Sequence, residues 1–99
     1  MLGVIYKSRK LEKVCTNFSA AQKDYGIDMA KLIHQRIGEI QAADSVEFLV
    51  KFGIGGCHPM KGNRKGEFSM DLVHPFRILF EEVDTEVSLV KIINIENYH

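Results

Sequence analysis

Ninety-nine residues without net formal charge, 45% hydrophobic and 26% charged, describe a single domain (residues 1–99) with one core. Folding at that size buries roughly 60–65% of the unfolded surface, enough to dispense with staples. The longest apolar runs fall well short of the roughly 18 residues that cross a bilayer. Residues 1–10 lack a long apolar core and a small-residue cleavage site, so no membrane contact is expected and the expected location is the cytoplasm.

In chain order, Leu2–Tyr6 is a short run of β-formers. Ser8 then caps a helix carrying Leu11, Val14, Cys15 and Phe18 at helical spacing. Residues 19–26 interrupt the pattern, and Asp28 caps a second helix with Met29, Leu32, Ile33, Ile37 and Ile40 on one side. Residues 45–52 predict a short helical turn, which Gly53, Gly55 and Gly56 end before His58. From Glu67 the period changes to two: Phe68, Met70 and Leu72 alternate with polar residues up to His74-Pro75. Phe76, Ile78 and Phe80 alternate next, Asp84-Thr85 supplies a turn, and residues 87–96 form a long apolar strand. The predicted fold is α+β: two N-terminal antiparallel helices packed on one face of a small, mainly antiparallel sheet, with a short first strand at its edge.

Zero net charge argues against a surface that binds nucleic acid everywhere, but the charges are unevenly placed. Residues 7–36 hold seven basic against three acidic side chains, and residues 51–77 hold five against two, whereas the C-terminal stretch is acidic. Cys15 and Cys57 are too scattered for a Cys-x-x-Cys site and read as small buried hydrophobes. Cys57, His58, His74 and His99 match no familiar zinc spacing, and neither a metal nor a cofactor is expected. The glycines at 53, 55 and 56 precede no helix and fail the dinucleotide fingerprint; the Lys61–Gly66 segment lacks the order of a nucleotide P-loop.

Several groups remain that suit phosphate. Lys61, Arg64 and Lys65 lie within five residues between glycines, as either a solvated loop or a phosphate clamp. Arg77, out of phase with its apolar neighbours, belongs to the sheet face that the helices leave open. There it either pairs with Glu67 or Asp71 or holds a phosphate. The chain stops on Asn97-Tyr98-His99, an imidazole able to move a proton at neutral pH beside a phenol. His58 precedes Pro59 and so is extended, its ring diverging from the Cys57 thiol. His34 and His74 read as structural. Two imidazoles, a phenol and several cations fit cleavage of RNA, which brings its own 2'-hydroxyl nucleophile and needs only alignment, proton transfer and charge stabilisation. The terminal imidazole is expected to fold back to within a few ångströms of His58.

Cys57-His58-Pro59-Met60-Lys61-Gly62-Asn63-Arg64-Lys65-Gly66, then Phe76-Arg77-Ile78-Leu79-Phe80-Glu81, then Glu96-Asn97-Tyr98-His99 together resemble the HigB toxins of the RelE/ParE superfamily, over nearly the whole chain. The resemblance implies a ribosome-dependent mRNA endonuclease that needs no metal. It also implies inhibition by a HigA-like helix-turn-helix antitoxin, through which alone the toxin meets operator DNA. Carried over by position, His58 and His99 are the acid and base, in an order left open. Tyr98 orients the RNA or stacks on a base, Arg77 and Lys61 neutralise the scissile phosphate, and Arg64, Lys65 and the basic first helix contact ribosomal RNA. Asn97 stands where the family often has Asp, and Phe76 where Trp is common. Two other readings stay open: a non-catalytic gyrase inhibitor of ParE type, and an attenuated toxin that serves as antitoxin partner and co-repressor.

Overall fold

A computed structural model describes residues 1–98; His99, and with it the expected approach of the terminal imidazole to His58, lies outside them. Ser8 accepts a hydrogen bond from the Leu11 amide at 3.1 Å and opens helix α1 (Arg9–Thr16). The chain does not then break into irregular structure as its sequence predicts. Asn17 ends α1, and its side chain accepts from the Ala20 amide at 3.0 Å, starting α2 (Phe18–Tyr25) across the segment expected to interrupt. Alanines at 20 and 21 favour this helix, and Ala21 is fully buried. Phe18 accordingly belongs to α2 rather than to the apolar stripe of α1.

Gly26, at φ 88°, both ends α2 and precedes α3 (Ile27–Ala42). Asp28 therefore sits inside the first turn of α3, favourable to the helix dipole but not its cap. The short α4 (Val46–Lys51) falls where the sequence predicts a helical turn, and Ser45 caps it, accepting from the Phe48 amide. Half-buried His34 on α3 meets the edge of Phe18 at 5.4 Å, and its Nε2 finds no hydrogen-bond partner among the described residues.

Five strands form one sheet: β1 (Gly3–Tyr6), β2 (His58–Pro59), β3 (Glu67–Asp71), β4 (Phe76–Asp84) and β5 (Leu89–Asn97), in the order β1-β5-β4-β3-β2. β1 lies at the edge, parallel to β5, and the other pairings are antiparallel. The two-residue β2, which the sequence leaves as extended loop, arises because His58 and Pro59 pair with Ser69 and Phe68. The helices cover one face. Ala30, Ile33, Ile37 and Ile40 join Met70, Ile78, Phe80, Val90 and Ile92 in a single core, each large side chain contributing roughly 1.5–3 kcal/mol.

β5 does not alternate evenly. Phe80 pairs with Ile92 and Leu79 with Asn94, so Ile93 is an extra residue, a β-bulge. Uninterrupted alternation from Val90 and Ile92 would turn Glu96 toward the helices. The bulge instead keeps Val90, Ile92 and Ile95 in the core and places Glu96 beside Arg77 on the opposite face.

Candidate active site on the open end of the sheet

On that face the side chains of Arg77, Glu96, Asp71 and, one alternation along, Leu79, Ser69 and His58 follow from register alone. Arg77 does not pair with Glu67 or with the Asp71 carboxylate. Its Nε and Nη2 donate to Glu96 Oε2 at 2.9 and 2.5 Å. Arg64 reaches the same carboxylate from the β2–β3 loop, Nη1 donating to Oε2 at 2.7 Å and Nη2 to Oε1 at 2.9 Å. The Arg64 hydrogen bond first, then those of Arg77 and the charges of both arginines, hold the Glu96 carboxyl below its usual range against the opposing effect of burial.

Tyr98 follows β5 and lies over the Arg77 guanidinium, 4.8 Å from its carbon to the ring centre. The Tyr98 amide donates to the Pro75 carbonyl at 3.2 Å. The ring meets His74 edge-on, and the phenol oxygen stands 3.4 Å from His74 Nδ1. His74, read from sequence as structural, is thus a neighbour of the phenol. Arg77 is consequently fixed on two sides: by a carboxylate along its Nε/Nη2 edge and by a ring on its face.

His58 stands two strands away and two residues along. Ideal strand spacing puts its Cα roughly 12 Å from that of Arg77. Its Nδ1–H donates to the Gly56 carbonyl at 2.9 Å, leaving Nε2 as the acceptor of the neutral ring. Gly56 has φ 69°, and a Cβ there would fall on the Asp71 carboxylate, so a side chain in this turn is strained and must displace that carboxylate. The turn packs in this way against the end of β3, where Arg36 of α3 also donates to the Asp71 carbonyl at 2.6 Å. Cys57 is buried on the other side, its thiol pushed up to about 12 by desolvation, and it diverges from His58 as the sequence predicts.

Lys61 and Lys65 flank a short 3₁₀ turn (Gly62–Arg64) and are exposed. Arg64 between them is drawn onto the sheet by Glu96. Asn97 pairs with Phe76, which places it on the face opposite Arg77 and Glu96. Beside the site runs a cleft of about 660 Å³ along the end of β5, with Lys7, Lys10, Tyr25, Arg64, Leu79 and Asn94 in its walls. Burial raises the Tyr25 phenol, with the Asp24 and Cys15 charges adding to it.

Neither a protein-family model nor a curated protein matches this chain. Solved structures do. The chain is similar to the YoeB/ParE toxin from Agrobacterium tumefaciens, with a TM-score of 0.69 at 13% identity over 99% of this chain and 100% of that one. The fold is that of the YoeB/ParE-type toxins. The YoeB dimer from Staphylococcus aureus matches with a TM-score of 0.64 at 22% identity over 99% of this chain and 97% of that one. A chain of the YoeB–YefM complex from the same organism matches at 0.65 and 21% identity, over 100% of this chain and 98% of that one. The HigB likeness seen in the sequence has no counterpart among these structures. No described helix is long and apolar enough to cross a membrane.

Proposed function

We propose that this protein is an mRNA interferase of the HigB kind, the toxin of a type II toxin–antitoxin pair in the RelE/ParE superfamily, cleaving messenger RNA on the ribosome. The observation that carries the reading is Arg77, locked between Glu96 and the Tyr98 ring on the same sheet face as His58. A fixed guanidinium stabilises charge as it develops on phosphorus, and an imidazole oriented by its Nδ1–H on a carbonyl can pass a proton through Nε2.

In the proposed reaction the ribose 2'-oxygen attacks the adjacent phosphorus while one of His58 and His99 takes its proton. The bond from phosphorus to the 5'-oxygen breaks, and the other imidazole protonates that leaving oxygen. The products are a 2',3'-cyclic phosphate and a 5'-hydroxyl, formed without a cofactor. Arg77 and Lys61 balance the charge, and Tyr98 orients the RNA. Arg64, Lys65 and Asn97 are assigned to substrate binding. The register of Asn97 directs it away from Arg77, so its assignment rests on its place in the chain beside Tyr98. The likeness to a chain of the YoeB–YefM complex supports a partner antitoxin; from the sequence we assign it as a HigA-like helix-turn-helix protein that carries the toxin to its operator.

The test is primer extension on transcripts after brief expression of the wild type, His58→Ala and His99→Ala. Discrete breaks within translated messages in the wild type, lost in both variants, are expected. Growth arrest with intact messages and a DNA-damage response would overturn the reading in favour of gyrase inhibition.

A further inference from the structure

We propose that Glu96 is a positioning residue that sets both arginines of the site with one carboxylate, and that its removal slows the chemical step without weakening substrate binding. This rests on the phosphodiester-cleavage reading above. Glu96 Oε2 accepts from Arg64 Nη1 and from both Nε and Nη2 of Arg77, and Oε1 accepts from Arg64 Nη2. The three side chains are only 14%, 18% and 39% exposed for Glu96, Arg77 and Arg64, so water competes weakly for the inner pair.

Arg77 spends its Nε/Nη2 edge on Glu96 and one face on Tyr98. Its Nη1, bonded to no other described residue, is the edge left for a phosphate oxygen. Without Glu96 the guanidinium regains its side-chain torsions and that edge loses its aim. Arg64 is the only contact by which the tip of the loop at 61–65 is tied to β5 among the described hydrogen bonds. Glu96 therefore also pins the loop that carries Lys61 and Lys65. Two cations and one anion leave the cluster a net single positive charge, so loss of the carboxylate makes it more attractive to phosphate while disordering it.

That opposition separates positioning from a general structural role, which would degrade rate and binding together. Single-turnover cleavage on message-programmed ribosomes should be about tenfold to a hundredfold slower at saturating Glu96→Gln protein, with the half-saturating concentration unchanged or lower. Glu96→Asp, charged but one methylene short of reaching both arginines, should not restore the rate. In the free protein, amide hydrogen exchange over residues 60–66 should quicken in Glu96→Gln. Wild-type rates in Glu96→Gln, or a defect confined to the half-saturating concentration, would overturn the proposal. Should Glu96→Gln fail to fold, Arg64→Met removes one arm alone; quicker exchange in the loop supports the pin and unchanged exchange refutes it. A wild-type protein that cleaves no message defeats the RNA reading by itself, and the exchange comparison then decides whether Glu96 holds the loop.

Discussion

On the helix-covered face of the sheet, Ile78, Phe80, Val90 and Ile92 are buried among aliphatic side chains and need only the right size and phase. On the opposite face at the end of β4 and β5, Arg77, Glu96 and Tyr98 are held by charged hydrogen bonds and a ring contact, where a shift of one residue would dissolve the arrangement. The first surface supplies stability, and the second draws on it to hold charged groups at fixed angles. A β-bulge at Ile93 lets one strand serve both, keeping the apolar phase for the core while turning Glu96 outward.

If that division is right, substitutions on the two faces should separate cleanly. Phe80→Ala, which empties a fully buried ring site, should cost about 3–5 kcal/mol of stability by urea denaturation. Arg77→Ala should lower RNA cleavage by about a hundredfold or more in the ribosome assay, yet cost only about 1 kcal/mol of stability; equal losses of stability from the two would break the comparison. Gly56→Ala should fall between them, because positive φ strains any side chain and this one collides with Asp71. A loss of about 1–3 kcal/mol, with a shifted His58 resonance by NMR, is expected.

The Glu96 carboxyl, held below its ordinary value of 4.5 in the folded chain, gives a smaller effect of definite sign. Its contribution is fully present above that ordinary value and is lost as the pH falls through the depressed one. The stability gap between wild type and Glu96→Gln should therefore be flat near neutrality and shrink only below about pH 4.5; a gap that grew on acidification would show that the clamp is not ionic. The smallest effect is the coupling itself. Phe80 and Arg77 lie roughly 10 Å apart along β4 and on opposite faces, so their stability effects should add within about 0.5 kcal/mol.

The core face was legible in the sequence because its signal is periodic: Met70, Ile78 and Phe80 occupy the positions their spacing predicts. The side chain of Arg77, out of phase with Phe76 and Ile78, was legible for the same reason. Glu96 as partner of Arg77 was not, since even alternation along β5 assigns it to the other face, and the Ile92-Ile93 doublet is a faint marker of the extra residue. The helix at Phe18–Tyr25 was missed because Asn17 serves both as the end of one helix and the cap of the next, a dual use that looks like a break. His74 gave no signal of its contact with Tyr98, which depends on the β3–β4 turn meeting the end of β5.

The central claim is that the open end of the sheet breaks RNA by internal attack of the 2'-hydroxyl. Chemical identification of the new 3' ends in cleaved messages tests it most directly, comparing the wild type with Arg77→Ala. Cyclic phosphate or 3'-phosphate ends that vanish in the variant are predicted; 3'-hydroxyl ends, or ends that persist undiminished without Arg77, would contradict it.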